Sequence, residues 1–283
     1  MGCCAPNFLI KTLRMKVNLQ NSHAQNRITT ALLLAAGTGS RLLPLTSESP
    51  KCMTLVSEIS ILARLVENLR LQGFKRLVIV TGHLSAAIEN FLGTKYNGVI
   101  IDYVHSPSYR STNNIYSLWM VRKIMTQPFV LLESDLVFDH SLLSDMIYPD
   151  RLAVAGIKDW MHGTTVTLNS DQRVMGFKTN TSPIRNKIKF KTVNIYSFSL
   201  ASWRTITQRL DQHIKEGKVN GYYETVFSEL VDEGLLSLQA VSFDKKAWYE
   251  IDTIGDLAEA VKLFPKALPV KRLNKTLAYD LAS

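Results

Sequence analysis

The strongest constraint on the fold is an apolar run at residues 31–36 that ends in Gly37-Thr38-Gly39. A run of this length without alternating polar residues is typical of a strand buried on both faces of a parallel sheet. A second such run lies at 76–82, and between the two, apolar residues recur at helical spacing over 61–71. The order strand, helix, strand predicts a βαβ unit, and therefore a sheet covered by helices.

The rest of the chain continues this alternation. Further strands are predicted at 99–105, 129–135, 152–157, 164–168, 189–199, 236–243 and 247–252. Further helices are predicted at 84–92, 113–125, 140–148, 201–216, 222–233 and 255–264. We expect a three-layer α/β/α sandwich with a mostly parallel mixed sheet, of the Rossmann-like kind, and antiparallel strands at one edge.

Charge divides the chain into a near-neutral body and two basic ends. The formal net charge is +9, and most of it falls within residues 1–27 and 265–283. We expect 28–264 to be the folded domain, 1–27 a flexible extension, and 265–283 a helix interrupted by Pro269. A near-neutral body argues against nucleic acid as a ligand.

Two further features of composition bear on where the protein works. No apolar run approaches the ~20 residues that a membrane-spanning helix needs. The three cysteines, Cys3, Cys4 and Cys52, cannot form a disulfide framework. We therefore expect a cytoplasmic protein, and the sequence leaves open whether it forms a homodimer.

The glycine-rich segment after the first strand has the chemistry of a phosphate site. Gly37 and Gly39 allow the backbone to approach a triphosphate, whose oxygens accept from the exposed N–H groups. Arg41 and Lys51 would neutralise the remaining charge. Leu42 stands where a dinucleotide fingerprint needs its third glycine, and no Gly-Lys-Ser/Thr follows for a P-loop. The segment therefore predicts a triphosphate site of a different type.

Acidic residues follow two of the predicted strands. Glu133 and Asp135 stand at the carboxyl end of the 129–135 strand, where open α/β sheets place ligands. Glu250 and Asp252 repeat this spacing, which puts both carboxylates on one face of their strand. Asp135 and Asp252 are hard oxygen ligands suited to Mg²⁺. The alternative is a set of surface carboxylates, with Asp252 as the N-cap of the 255–264 helix.

Several segments together resemble a known family. The opening Leu34-Ala35-Ala36-Gly37-Thr38-Gly39-Ser40-Arg41, with Pro50-Lys51 beyond it, is shared by nucleotidyltransferases that couple a nucleoside triphosphate to a small phosphorylated acceptor. The resemblance covers about residues 29–260 and is strongest to the cytidylyltransferases of small phosphonates and phosphocholine. It continues through residues 80–83, 111–119, 133–136, 160–164, 191–196 and 249–252. The enzymes for sugar phosphates usually have Gly-Asp at 134–135 and a later Glu-Lys-Pro, which is absent here.

The resemblance implies CTP and a small phosphonate or phosphate acceptor as ligands, with Mg²⁺ as cofactor. It implies a catalytic set of Arg41, Lys51 and Lys191, and metal ligands Asp135 and Asp252. The implied nucleotide-binding residues are Leu34, Ala35, Ala36, Gly37, Thr38, Gly39, Ser40, Gly82, His83, Ser111, Asn113 and Asn114. The implied acceptor-binding residues are Glu133, Trp160, Tyr196 and Glu250.

Alternatives remain for some of these residues. Lys191 lies in an alternating strand and has the pattern of a solvated lysine, and Asn113 and Asn114 could be helix caps. Trp160 and Tyr196 could form part of an aromatic box around a cationic amine, or could be core residues.

The order of acceptors favoured by the resemblance is 2-aminoethylphosphonate, phosphocholine and hydroxyethylphosphonate. Three other functions compete with a cytidylyltransferase. Because Glu133-Ser134-Asp135 approximates an Asp-x-Asp motif, a glycosyltransferase that uses a nucleotide sugar is one of them. A sugar-1-phosphate nucleotidyltransferase and a nucleotide-binding module without catalysis are the others.

Overall fold

The computed structural model describes residues 27–178 and 189–265. The predicted extension at 1–27 and basic helix at 265–283 therefore lie outside the described residues, except for residues 27 and 265. No helix within the described ranges is long and apolar enough to cross a membrane. The three-layer α/β/α prediction is confirmed, as the element bounds and the strand order now show.

The principal sheet contains strands of both directions. Its strands are β1 (Thr30–Ala35), β4 (Arg76–Thr81), β5 (Lys95–Tyr96), β6 (Val99–His105), β7 (Phe129–Glu133), β9 (Arg151–Gly156), β10 (Thr165–Leu168), β11 (Val174–Lys178), β12 (Lys189–Phe198) and β13 (Gln239–Ser242). The main strand order is β11-β10-β12-β7-β1-β4-β6-β5, and β9 pairs with β12 and β13. Strands β7, β1, β4 and β6 are mutually parallel, whereas β12, β10 and β11 are antiparallel additions beyond β7, as predicted.

Two small sheets lie outside this one. One pairs β2 (Leu55–Val56) with β3 (Ile59–Ser60), and the other pairs β8 (Leu136–Phe138) with β14 (Trp248–Glu250). The backbone N–H of Ile251 also donates to the carbonyl of Asp135 at 3.0 Å. The β8–β14 pairing therefore joins two segments that are more than a hundred residues apart in the sequence.

Helices cover both faces of the principal sheet. They are α1 (Ile61–Leu71), α2 (Ser85–Leu92), α3 (Asn114–Met120), α4 (Leu200–Lys215), α5 (Tyr223–Asp232) and α6 (Ile254–Leu263). Side chains Ser60, Ser199 and Thr253 accept the N-terminal hydrogen bonds of α1, α4 and α6. These caps satisfy backbone donors that have no partner within the helix.

Successive side chains of β1 lie on opposite faces of the sheet, and this explains why its sequence is apolar throughout. Leu33 packs in one core cluster with α1 and α2, and Leu32 packs in the other with α3, α4 and α5. Both side chains are fully buried. A strand with helices on both faces needs an apolar residue at every position, which is the pattern that predicted it.

The structure differs from the predicted elements at several places. The 140–148 segment is a short 3₁₀ helix over His140–Ser144, and Pro149 disfavours helical backbone at the residue before it. The 129–135 strand ends at Glu133, and the 236–243 strand begins only at residue 239. Five strands were not predicted: β2, β3, β5 and β8 have only two or three residues each, whereas β11 has five.

Candidate active site

The glycine-rich loop leaves β1 at the carboxyl end of the parallel strands. Gly37 is exposed, and a Cβ atom added to it would meet no other atom within 4 Å. Gly39 has φ +64, and a Cβ added there would lie 3.0 Å from the Cβ of Lys51. Glycine at residue 39 therefore meets two needs, since the backbone is left-handed and Lys51 approaches closely. The loop leaves its outer side free for a ligand.

Lys51 joins the two predicted metal-binding carboxylates. Its Nζ lies 2.8 Å from Oδ2 of Asp135 and 2.6 Å from Oδ1 of Asp252. Burial alone would lower the pKa of Lys51, but the charges and hydrogen bonds of Asp135 and Asp252 outweigh burial and raise it. The Lys51 side chain is therefore a fixed positive charge beside the loop.

Arg41 makes a second contact with the same carboxylate. Its Nη2 lies 2.7 Å from Oδ1 of Asp252, and 69% of its side chain remains exposed. The N-cap of α6 is Thr253, whose side chain and Asp256 form a capping box, so the alternative role of Asp252 as that cap is wrong. The Asp256 carboxylate also accepts from the backbone N–H of Asp252 at 3.1 Å. This bond holds the start of α6 against the segment that carries Asp252.

A second cation lies deeper, on β12. The Lys191 side chain is only 3% exposed, so its interpretation as a solvated lysine is wrong. Its Nζ donates to the carbonyl of Thr192 at 2.7 Å and lies 3.2 Å from Oε2 of Glu250. The other oxygen of Glu250 accepts from Nδ2 of Asn194 at 3.2 Å. Both oxygens of Glu250 are therefore engaged.

An irregularity in β12 brings Asn194 to this position. The pairing of β12 with β9 shifts register between Thr192 and Tyr196, and Asn194 has φ +58. Asparagine tolerates this left-handed conformation better than most residues, and such irregularities redirect side chains.

Two further acids complete the cluster, the half-buried Glu133 from β7 and the buried Glu224 from α5. Burial, then the charges of Asp135 and Glu224, hold the pKa of Glu133 well above its ordinary value, although the hydrogen bond from Asn114 acts the other way. Burial also raises the pKa of Glu224 to about 7, against the opposing effect of Lys191. Oε2 of Glu224 is buried and has no hydrogen-bond partner.

These residues line two adjoining cavities. The loop cavity, of about 270 Å³, lies against the glycine-rich loop, Lys51 and Ser117. The carboxylate cavity, of about 470 Å³, lies against Lys191, Glu224, Glu250 and Gly163. Both are lined by Arg41, Asn114, Glu133, Asp135, Tyr222 and Asp252. Because they share this border, a ligand in one cavity can contact a ligand in the other.

The structure brings most of the sequence-predicted residues to these cavities. The α3 N-terminus contributes Asn113, whose side chain caps the helix by accepting from the N–H of Asn114. Asn114 itself is not a cap: its Nδ2 donates to Glu133 at 3.2 Å, and its Oδ1 accepts from the backbone of Tyr223 at 3.1 Å. The predicted residues that line at least one cavity are Leu34, Ala36, Gly37, Gly39, Ser40, Arg41, Lys51, Asn113, Asn114, Glu133, Asp135, Lys191, Glu250 and Asp252.

The remaining predicted residues do not line either cavity. Gly82 is a packing residue, because a Cβ there would lie 2.6 Å from the carbonyl oxygen of Ala36. The backbone N–H of His83 donates to this same oxygen at 3.1 Å, and the hydroxyl of Ser111 donates to the carbonyl of Ser108. Ala35 is buried in the sheet. Thr38 is exposed, and its neighbours Gly37 and Gly39 line the loop cavity.

The two predicted aromatic acceptor residues also lie elsewhere. The Trp160 ring stacks on Tyr249 with centroids 4.2 Å apart. The Tyr196 residue is 0% exposed and packs in the core against Phe198 and Phe227. Tyr222, which was not predicted, is exposed and lines both cavities.

Known proteins resemble this chain in sequence and in fold. Residues 30–159 match the nucleotidyl transferase family. The CMP-5'-(3-aminopropyl)phosphonate synthase of Streptomyces rubellomurinus is 30% identical over 257 residues, covering 87% of this chain and 40% of that protein. This chain thus spans less than half the length of that relative.

Two further proteins are similar along most of their own length. The CTP:phosphoglutamine cytidylyltransferase of Campylobacter jejuni is 26% identical over 252 residues, which are 80% of this chain and 97% of that protein. The solved structure of the CTP:phosphocholine cytidylyltransferase of Streptococcus pneumoniae has a TM-score of 0.74 at 20% identity, covering 84% of this chain and 99% of the other. This chain therefore carries a nucleotidyl transferase domain, and its homologues include cytidylyltransferases.

Proposed function

We propose that this chain is a cytidylyltransferase that transfers CMP from CTP to a small phosphonate or phosphomonoester and releases pyrophosphate. The observation that carries the proposal is the bridge from Lys51 to Asp135 and Asp252 beside an open glycine-rich loop. The choice of CTP as the nucleotide is supported by the relatives, which include enzymes named for CTP.

The loop and its cations would hold the triphosphate. Backbone N–H groups near Gly37 and Gly39 would donate to phosphate oxygens, and Arg41 would leave Asp252 to contact the β- and γ-phosphates. Lys51 would contact the α-phosphate. Its raised pKa keeps it charged throughout the pH range in which the enzyme is expected to work.

The donor set also fits a magnesium ion. Oδ1 of Asp135 is buried without a hydrogen-bond partner. Asp252 accepts from Lys51, which also donates to the other oxygen of Asp135. Mg²⁺ is commonly held by one or two carboxylates together with substrate phosphates and water, so Asp135 and Asp252 would hold it here. When bound, the ion would neutralise charge on the phosphates.

The reaction needs no general base in this arrangement. An oxygen of the acceptor's phosphonate or phosphate, already anionic at neutral pH, attacks the α-phosphorus of CTP. A new P–O bond forms to that oxygen, and the bond from the α-phosphorus to the bridging oxygen breaks. Pyrophosphate leaves with the electron pair. The chain's own contribution is positioning and charge stabilisation by Lys51 and the loop.

The carboxylate cavity would hold the acceptor. Lys191 is the buried cation there and would contact the acceptor's anionic group near the α-phosphate. Glu250 contacts the Lys191 ammonium and is itself held by a hydrogen bond from Asn194, so the ammonium is fixed in place.

The proposal is tested by pyrophosphate release from CTP in the presence of Mg²⁺, with 2-aminoethylphosphonate, hydroxyethylphosphonate and phosphocholine supplied separately. We expect turnover of CTP in preference to UTP and ATP, loss of turnover with a chelator, and recovery on adding excess Mg²⁺. Glucose 1-phosphate serves as the control acceptor. Turnover with glucose 1-phosphate alone would point to a sugar-1-phosphate nucleotidyltransferase, and CTP binding without turnover of any acceptor would point to a binding module.

A further inference from the structure

We propose that Tyr222 selects the nucleophile of the reaction: its ring covers the α-phosphorus of CTP where the two cavities meet, and keeps water from attacking in place of the acceptor. The inference rests on the proposed function, because it concerns the selectivity of that reaction. It starts from an aromatic residue that lines both cavities. In the described part of the chain, its ring has no aromatic neighbour and its hydroxyl no hydrogen-bond partner.

The position of the leaving group fixes the side from which a nucleophile approaches. Lys51 and the glycine-rich loop line the loop cavity, and they would hold the α-phosphate and the departing pyrophosphate there. In phosphoryl transfer the attacking and leaving oxygens lie roughly in line across the phosphorus. The attacking oxygen, of acceptor or of water, therefore comes from the carboxylate cavity and crosses the border that the two cavities share.

Most of this border attracts water. Five of the six residues that line both cavities carry a charge or an amide, namely Arg41, Asn114, Glu133, Asp135 and Asp252. Carboxylates can hold a water molecule and accept its proton as it attacks. Tyr222 is the sixth of these residues, and its side chain has a large apolar body with one polar end. It is therefore the group at the border that displaces water rather than binding it.

The backbone of Tyr222 is held, whereas its ring is free. The N–H of Tyr223 donates to Oδ1 of Asn114 at 3.1 Å, and the N–H of Thr225 donates to the carbonyl of Tyr222 at 3.1 Å. Tyr222 nevertheless remains 57% exposed. Rotation about its side-chain bonds is enough to bring the ring over a ligand, and the apolar area buried in that contact favours the closed position.

The two competing reactions differ in only one product. Attack by an oxygen of the acceptor gives the CMP conjugate and pyrophosphate, whereas attack by water gives CMP, pyrophosphate and a proton. In both, a P–O bond forms at the α-phosphorus, the bond to the bridging oxygen breaks, and the electron pair leaves on pyrophosphate. Exclusion of water from a closed site suppresses hydrolysis of this kind. Release of pyrophosphate alone does not separate the two reactions, so the test follows the nucleotide product.

The test measures CMP and the CMP conjugate separately by chromatography. CTP and Mg²⁺ are supplied with 2-aminoethylphosphonate, hydroxyethylphosphonate or phosphocholine, and one reaction contains no acceptor. The wild-type protein is compared with Tyr222→Ala, which removes the ring, and with Tyr222→Phe, which keeps the ring and removes the hydroxyl. Phe91→Ala is the matched control, since it removes another exposed ring, from α2, that lines neither cavity.

We expect the wild-type protein to form the conjugate with little CMP. Tyr222→Ala should raise the ratio of CMP to conjugate by about 10-fold, a factor that the burial of one large apolar side chain can supply. It should also release CMP when no acceptor is present, and in heavy-oxygen water this CMP should carry the label, as attack at the α-phosphorus requires. Tyr222→Phe and Phe91→Ala should keep the wild-type ratio.

The inference is overturned if Tyr222→Ala keeps the wild-type ratio of CMP to conjugate, even where the conjugate forms more slowly, because the ring would then only bind a substrate. It is also overturned if Tyr222→Phe releases as much CMP as Tyr222→Ala, because the hydroxyl and not the ring would be responsible. Either result leaves the proposed function standing, since CMP is still transferred.

Failure of the proposed function has a different signature, in which no protein, the wild type included, forms a conjugate with any of the three acceptors. Calorimetry of CTP binding shows whether each variant is folded. If Tyr222→Ala has lost CTP binding, Tyr222→Ser, which also removes the ring, replaces it in the same comparison.

Discussion

The loop cavity and the carboxylate cavity adjoin each other but differ in how their carboxylates are paired. In the loop cavity Lys51 contacts both Asp135 and Asp252, whereas Glu133 accepts from the neutral side chain of Asn114. In the carboxylate cavity Lys191 pairs with Glu250, and burial raises the pKa of Glu133 and Glu224. The first arrangement is ready to receive a polyanion and a metal ion, and the second combines one buried ion pair with acids whose charged form is disfavoured by burial. The two halves of one site therefore differ in their electrostatics.

The largest effect is expected at the cation of the loop cavity. Lys51→Ala should lower kcat by about 10²- to 10³-fold with every acceptor, because one fixed charge that stabilises the transition state is removed. The measurement is steady-state pyrophosphate release, with the exposed Lys75→Ala as control. Near-normal turnover by Lys51→Ala would refute the role assigned to this residue.

Lys191→Met should weaken use of the acceptor in the carboxylate cavity without weakening CTP binding in the loop cavity. We expect kcat/KM for the acceptor to fall by about 10- to 100-fold, because a charged contact is lost, while CTP binding stays close to that of the wild type. Acceptor kinetics at saturating CTP, together with calorimetry of CTP binding, measure the two effects. The control is Lys95→Met, which removes an exposed lysine. An equal loss of CTP binding would mean that the two cavities do not divide their ligands in this way.

The burial of Glu224 also predicts how stability depends on pH. The pKa of Glu224 is about 7 in the folded protein, raised by burial and by Glu250 and partly offset by Lys191. A carboxyl group whose pKa is raised by folding binds its proton more tightly in the folded state. It therefore lowers stability as the pH rises from its unfolded value, near 4.5, to about 7, and the loss is complete above that pH.

Glutamine at this position has no charge to bury, so Glu224→Gln should be more stable than the wild type at pH 8 by about 3 kcal/mol. The difference should shrink toward pH 4.5. Urea unfolding of both proteins across this range measures it. A difference that does not vary with pH would show that burial of this charge is not costly.

The smallest effect is expected at the N-cap of α6, which lies next to Asp252 of the loop cavity. Thr253→Ala removes the side-chain half of the capping box that starts α6 next to Asp252, and should lower the free energy of unfolding by about 1 kcal/mol. Thermal unfolding measures the change, with the mid-helix Thr207→Ala as control. Because Asp256 still holds the N–H of Asp252, turnover should change little. A large loss of turnover would show that the cap itself sets the position of the carboxylate.

The two cavities also differ in how far the sequence predicts them. The glycine-rich loop and Lys51 are close in sequence, and Asp135 and Asp252 follow apolar strands, so local pattern is enough to select them. The burial of Lys191 could not be predicted, because its strand alternates like one with a solvated face. Asn194 reaches Glu250 only through the irregularity in β12, which depends on pairing with β9.

Glu224 shows the same limit in a helix. It follows Tyr223 at the start of α5, where an acidic residue is ordinary and complements the helix dipole. Only the packing of α5 against α3 and β11 turns this carboxylate into the cavity. The spacing of Tyr223, Phe227 and Leu230 marks the buried side of α5, and Glu224 borders it, which is the sequence signal that could have drawn attention to the residue.

The most direct measurement is a crystal structure of the protein with CTP and Mg²⁺. We expect the triphosphate on the backbone N–H groups of residues 37–41, the α-phosphate on Nζ of Lys51, and the metal ion on Asp135 and Asp252. A nucleotide bound elsewhere, with the loop empty and Lys51 still bridging the two carboxylates, would contradict the proposed site.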